Sequence, residues 1–340
     1  MSGTSLDAID IALVQLVRNE SWSFHVLKTK SIKYSNLWKE RLLNGIKLSN
    51  TDLNNLNKDY TRFLGCAIKE FICENDINNL LAVCSHGHTI LHQPDQGLTF
   101  QIGNLPDIAR IIGVRTICDF RVRDVDLGGQ GAPLVPIGDE LLFHQYDSCL
   151  NLGGFANISS NRKGVRLAFD ISPVNVVLNH FAQLLNCEYD DKGAFAKAGK
   201  LNKKVLKQLN DLPYYELSLP KSLGMEWVNT YIWDILSQIN KLEDTLATFT
   251  EHVAIQIAKN LNENSRVLVT GGGAFNDFLI DRITFHSQAE LIIPDRKTIE
   301  FKEALVFALL GVLRLRNENN ILSSVTGASR DHSSGMIYLP

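Results

Sequence analysis

The sequence predicts an α/β protein built twice on one plan, as two lobes that each hold a central mixed sheet flanked by helices. Three observations carry this. Runs with two-residue alternation are followed by runs whose apolar residues recur at three- and four-residue spacing. The same order of strands and helices returns after residue 149, and glycine-rich turns close several of the apolar strands.

Each element follows in turn. Residues 6–17 and 22–32 alternate as strands, joined by the polar turn 18–21 into a hairpin. From 52 to 75, residues such as Leu53, Leu56, Tyr60, Leu64, Ile68 and Phe71 keep helical spacing behind a cap at Thr51. Short apolar runs at 80–84 and 114–120 predict strands, with a helix at 107–112 between them. In the second half, 149–152, 155–159 and 165–171 read as three strands linked by Gly153-Gly154 and the turn 161–164. Helices at 174–185, 225–240 and 245–261 precede a strand at 267–270, a helix after Asn276, a strand at 290–293 and a last helix at 301–317. The expected lobes are 1–145, with the tail 320–340 packing on it, and 146–319. On this plan the first lobe lacks a counterpart of strand 149–152. The opening Met1-Ser-Gly-Thr-Ser5 then reads either as the turn after an absent first strand or as a frayed terminus.

Composition narrows the function. The chain has 340 residues, 45% hydrophobic and 21% charged, with a net charge of −3, so it is globular and offers no general attraction to nucleic acid or an anionic membrane. A small-molecule partner is expected. Six scattered cysteines without a C-x-x-C pair indicate a reducing compartment, and neither a signal peptide nor an apolar run of membrane-spanning length is present, so a cytoplasmic protein is expected.

Candidate site residues stand at strand ends and in glycine loops. Asn151-Leu-Gly153-Gly154 and Thr270-Gly271-Gly272-Gly273 each follow an apolar strand, and glycine there lets backbone approach a ligand. Neither a P-loop pattern nor a dinucleotide fingerprint occurs. Asp170 closes an apolar strand and reads as a base at the sheet's carboxyl edge or as a cap for the next helix. The histidines of Ser85-His-Gly-His-Thr89 and His92 lack the partners of a metal motif. Arg121, Arg123, Asp124 and Asp126 precede Gly128-Gly-Gln-Gly131, a loop suited to a polar or anionic ligand, with solvated surface charge as the other reading.

Taken together, Met1-Ser-Gly-Thr-Ser-Leu-Asp7, Ser85-His-Gly-His-Thr89, Gln101-Ile-Gly103, Asp119-Phe-Arg-Val-Arg-Asp124, Gly128-Gly-Gln-Gly-Ala-Pro133, Asn151-Leu-Gly-Gly154 with Asn157, Gly271-Gly-Gly-Ala274 with Asn276, and Ser324-Val-Thr-Gly-Ala328 resemble the anhydro-N-acetylmuramic acid kinases. The matches run in family order over nearly the whole chain. The resemblance implies a duplicated ribonuclease H-like (actin-like ATPase) fold with ATP in the cleft, and a reaction that both hydrolyses the 1,6-anhydro ring and phosphorylates O6 during peptidoglycan recycling. It implies Asp170 and Glu303 as catalytic residues. For the nucleotide it implies Gly3, Thr4, Ser5, Asp7, Asn151, Gly153, Gly154, Gly271, Gly272, Gly273 and Asn276, and for the sugar His88, Thr89, Arg121, Gly129, Gln130 and Asn175. No protein-only metal site is implied; Mg²⁺ would come with ATP, near Asp7, and a homodimer is expected. For Glu303 the other reading is an exposed first-turn helix residue.

The chain departs from the family pattern at Asp170-Ile-Ser-Pro-Val-Asn175, where the family reads Asp-Thr-Gly-Pro-Gly-Asn, and at Lys192, where it usually has Asp. A kinase for another amino sugar and a catalytically impaired nucleotide- or sugar-binding relative are therefore the alternatives.

Overall fold

The computed structural model describes residues 1–2 and 6–340, so the expected phosphate contacts Gly3, Thr4 and Ser5 lie outside the described residues. The strands, in chain order, are β1 (Ala8–Arg18), β2 (Trp22–Lys33), β3 (Val83–Cys84), β4 (His88–Gln93), β5 (Leu98–Ile102), β6 (Thr116–Cys118), β7 (Ser148–Leu152), β8 (Phe155–Arg162), β9 (Val165–Pro173), β10 (Arg266–Thr270), β11 (Glu290–Ile292) and β12 (Met336–Tyr338). They fall into two compact units, Met1–Leu142 with Phe301–Pro340, and Phe143–Glu300. Against the division expected at 145/146 and 319/320, the segment 301–319 falls in the first unit. Gly138 and Gly311, bare of side chain, leave room there for Val306 and Cys84.

The second unit holds a five-stranded sheet in the order β11-β10-β7-β8-β9. β7, β8 and β9 form an antiparallel meander, while β10 runs parallel to both β7 and β11. These directions place the carboxyl ends of β7, β9 and β10 at one edge. Helix Leu242–Ala258 buries Leu246, Phe249, Val253 and Ile257 in a core shared with Leu150, Ile158 and Val269 of the sheet. Buried on both faces, β7 and β10 are near-continuous apolar runs rather than alternating ones.

The first unit opens with the expected β1–β2 hairpin, paired from Ala8↔Lys33 to Arg18↔Trp22. Helix Asn50–Glu74 packs Leu56, Tyr60, Leu64 and Ile68 inward. Its cap is Ser49, whose Oγ accepts from Asp52 N at 3.2 Å, rather than the expected Thr51. The histidine-bearing segment after Gly87 folds as strand β4, paired antiparallel with β5 across a turn at Pro94–Gln96 that Gly97 closes at φ 68°. β6 pairs with β3 in parallel and with β12 antiparallel, so the tail does join this unit. Among the described residues no helix is long and apolar enough to cross a membrane.

Candidate active site

In the second unit, register builds the site. Thr270 pairs with Asn151, Asn151 with Asn157, and Asn157 with Asp170, so four polar residues form one row across four adjacent strands. Cross-strand partners share a face of the sheet, and the row stands near its carboxyl edge. Asp170 is half-buried, and its Oδ2 accepts from Leu223 N at 2.9 Å while Tyr214 donates to its backbone carbonyl at 2.7 Å. Burial raises its carboxyl above the ordinary range, and the Leu223 N–H draws it back in part. Its side chain bonds to Leu223 rather than to the first turn of helix Asn175–Leu184, so the helix-cap reading falls away.

The glycine loops close on this row. Asn175 Nδ2 donates to Leu152 O at 3.0 Å, tying the start of its helix to the end of β7, and Val174 N donates to Gly154 O at 2.8 Å. Gly271, at φ 81°, lies so near β7 that a Cβ would come 2.5 Å from Asn151 Oδ1 and 2.7 Å from the Leu152 carbonyl carbon. Gly272 differs: it is exposed, and the nearest atom to a Cβ there would be Asn175 Nδ2 at 3.7 Å. Beside it the Thr270 hydroxyl is buried without a hydrogen-bond partner among the described residues. An open glycine backbone next to an unused hydroxyl fits a phosphate or sugar oxygen of a bound nucleotide. Asn276 has another task, since its Oδ1 accepts from Leu279 N at 3.0 Å and caps helix Asp277–Ser287. Asp190 is likewise occupied, accepting from Phe195 N and Ala196 N at 2.8 and 3.0 Å.

In the first unit the polar residues gather around Arg121. Its Nε donates to His86 Nε2 at 2.9 Å and its Nη1 to Gly131 O at 2.5 Å. Burial lowers even this guanidinium to about 10, with Glu303 and Asp124 opposing. Glu303 lies about two turns inside helix Arg296–Leu315, so the first-turn reading is corrected: the helix begins earlier, behind Asp295, which accepts from Thr298 N. The Glu303 side chain reaches solvent, yet the protein crowded around it raises its carboxyl, while the Met1 amino group and Arg121 pull the other way. A buried ion pair between the neighbouring Lys302 and Asp139 at 2.7 Å fixes this stretch of helix.

His88 lies buried in β4 with Nδ1 3.0 Å from Ser2 Oγ, which also meets Tyr34 OH at 2.6 Å. Thr89 beside it is 3.5 Å from Gln101 Nε2. Asp7 is exposed ahead of β1, and its carbonyl accepts from Tyr34 N. Gly129 is buried, while the exposed Gln130 reaches Asp95 at 3.4 Å.

Asp124, fully buried, shapes the Gly129–Gly131 loop by accepting from Gly131 N and from Thr326 Oγ1, each at 2.7 Å. Truncation by Asp124→Ala leaves both donors unpaired in the interior. It is expected to lower stability by about 2–5 kcal/mol in urea denaturation, and a change below ~1 kcal/mol would contradict this bracing role.

Burial also keeps histidines neutral. His88 is lowered to about 4, and His252, whose ring joins Tyr215 OH at 2.8 Å and Asn210 Oδ1 at 2.7 Å, to about 3. Folded values below the unfolded ~6.5 mean that stability is full above that pH. It is lost as the pH falls, because the unfolded chain takes up protons that the fold excludes. A falling melting temperature from pH 6.5 toward 4 is the expected result, and a flat profile over that window would contradict it.

Asn157 and Thr270 were not singled out as site residues from sequence; Thr270 is the polar end of an apolar run, and Asn157 stands just past the Gly153-Gly154 turn from Asn151. His86, seen only as an unpartnered histidine, holds Arg121.

The family model for anhydro-N-acetylmuramic acid kinase matches residues 1–340. The anhydro-N-acetylmuramic acid kinase of Saccharophagus degradans is 33% identical over 365 residues, covering 100% of this chain and 98% of the relative. That of Vibrio cholerae is 33% identical over 362 residues, covering 100% and 97%. Among solved structures, a ROK family glucokinase from Streptomyces griseus in complex with glucose and AMPPNP is a distant likeness, with a TM-score of 0.33 at 10% identity over 83% of this chain and 94% of that one. With its whole length matched and relatives at a third identity end to end, the chain belongs to the anhydro-N-acetylmuramic acid kinase family.

Proposed function

We propose that this chain converts 1,6-anhydro-N-acetylmuramic acid, with ATP and water, to N-acetylmuramic acid 6-phosphate and ADP, as a step of peptidoglycan recycling. The observation that carries the assignment of roles is the Thr270–Asn151–Asn157–Asp170 row, in which a carboxylate with a raised pKa stands in line with the glycine-bearing ends of two strands.

Asp170 acts as general base. It takes a proton from the water that attacks the anomeric carbon, the bond from that carbon to O6 breaks, and O6 is freed, as in inverting glycoside hydrolysis. Leu223 N–H holds one carboxylate oxygen and aims the other. The phosphoryl group transferred to O6 would come from the γ position of ATP, leaving ADP, and Mg²⁺ would supply the charge balance. Asn151, Gly153, Gly154 and the Gly271–Gly273 backbone would hold phosphate oxygens, and the Thr270 hydroxyl supplies a further polar contact. Arg121, positioned by His86, would bind a polar substituent of the sugar, with His88, Thr89, Gly129, Gln130 and Asn175 as further sugar contacts. Glu303 would be the second acidic residue, and Asp7, exposed ahead of β1, would be the carboxylate that meets the Mg²⁺ arriving with ATP.

ADP release is measured with ATP, Mg²⁺ and the anhydro sugar in ¹⁸O-water, and the product is weighed by mass spectrometry. A sugar 6-phosphate with one heavy oxygen at the anomeric carbon is expected. ADP formed only with another amino sugar would move the substrate assignment. A ligand-dependent rise in melting temperature without any ADP would identify a binding protein instead.

A further inference from the structure

β9 is the last strand of its five-stranded sheet, and an edge strand leaves a row of N–H and C=O groups to be satisfied by something other than a strand. At Asp170 one stretch of chain does this. Residues 213–223 run from the helical turn Pro213–Glu216 to just ahead of helix Met225–Leu236. Asp170 N donates to Lys221 O at 3.3 Å, and Tyr214 OH donates to Asp170 O at 2.7 Å. With Leu223 N donating to its carboxylate at 2.9 Å, Asp170 is held at three points by this single segment.

The segment is fixed to the core near its start. Tyr214 is buried, and the hydroxyl of Tyr215 lies 2.8 Å from Nε2 of His252, itself buried in helix Leu242–Ala258. The stretch beyond has little burial of its own, since Glu216, Leu217, Ser218 and Pro220 are all exposed. Lys221 ties it back. Its ammonium donates to Tyr214 O at 3.2 Å and to Tyr215 O at 3.4 Å, and lies 4.7 Å from the centre of the Tyr214 ring. One side chain therefore joins the end of the segment that carries Tyr214 to the end that carries Leu223.

We propose that Lys221 is a positioning residue for Asp170: by closing segment 213–223 on itself, its ammonium fixes the Leu223 N–H and the Tyr214 hydroxyl that orient the carboxylate and its strand. The inference rests on Asp170 being the general base. The effect runs through the main chain, because Lys221 gives its protons to two carbonyls while Leu223 N–H meets the carboxylate. The titratable groups around the pair are Tyr214, Tyr215 and Glu216 of the segment and His252 and Lys259 of the neighbouring helix. Burial lowers the Lys221 ammonium, with Glu216 opposing and Lys259 adding to the effect, and His252 is held neutral by burial. Burial under the same segment raises the Asp170 carboxyl, so loosening the segment lets water in and lowers it.

Lys221→Met keeps a long side chain against the Tyr214 ring and donates no proton. It is expected to lower kcat about 10- to 100-fold, the usual cost of a misplaced reacting group, with KM for ATP within about twofold of the parent's. The acid limb of the kcat profile is expected to move to lower pH, and so is the titration of the Asp170 carboxyl, followed by ¹³C NMR as the difference from Asp170→Asn. Lys221→Arg, whose fork reaches both carbonyls, is expected to restore kcat to within about fivefold of the parent's. Parental kcat in Lys221→Met, an unmoved Asp170 titration, equal losses in the two variants, or a collapsed melting temperature would each overturn the proposal. Added to Asp170→Asn, Lys221→Met is expected to cost no more turnover; a further tenfold loss would show that the lysine acts other than through Asp170. The two readings fail separately, since parental turnover by Asp170→Asn removes the base while the NMR titration still tests the lysine.

Discussion

Asp170→Asn is expected to lower sugar-dependent ADP release by roughly 10²–10⁴-fold, the usual contribution of a positioned general base, while leaving ATP affinity within about twofold. The amide oxygen can still accept from Leu223 N–H, so the local hydrogen bond survives the change. Stability separates the chemical effect from misfolding. Burial raises the folded carboxyl's pKa, so its contribution to stability is fully present below the unfolded value of ~3.9 and is lost as the pH rises through the folded value. At neutral pH the fold therefore carries an ionised group it disfavours, and the asparagine variant is expected to melt no lower than the parent. The pH profile carries the same sign: turnover by the parent falls as the pH drops through the raised pKa, because the base is then protonated. Turnover within tenfold of the parent's would remove Asp170 from the base role, and a collapsed melting temperature would mark a structural role instead.

A comparable effect, on stability and nucleotide binding together, is expected at Gly271. The residue holds φ 81° and ψ 165°, a region essentially reserved for glycine, and a Cβ would press on Asn151 Oδ1 at 2.5 Å and on the backbone of Leu152 at 2.7 Å. Backbone atoms inside a sheet cannot move aside cheaply. Strain and overpacking together predict a loss of about 2–5 kcal/mol for Gly271→Ala, with ATP affinity at least tenfold weaker because the ends of β7 and β10 are pushed apart. Gly272→Ala is the discriminating partner, since its Cβ would meet only Asn175 Nδ2, at an ordinary contact distance of 3.7 Å. It is expected to melt within a few degrees of the parent yet bind ATP more weakly, by crowding the backbone approach itself. Thermal melts and calorimetric titration with ATP read both. Unchanged affinity in Gly272→Ala would take that backbone out of the phosphate site.

By itself the sequence determined the local elements and the family. The β1–β2 hairpin, the β7–β9 meander and the glycine turns were legible because alternation and turn chemistry act over a few residues. Boundaries and caps were less so: Ser49 and Thr51 are both competent caps, and packing of Leu53 and Leu56 selects the start of the helix. The β4–β5 hairpin was hidden because polar residues such as His88, which meets Ser2, and Gln101 face the interior from its strands and break the apolar alternation.

Only the tertiary structure decided how distant residues meet. Asn151 and Thr270 become neighbours through the parallel register of β7 and β10, and Asp124 meets Thr326 across 202 residues. Periodicity specifies which face of a strand is buried, but pairing partners and register are settled by packing among segments far apart in the chain.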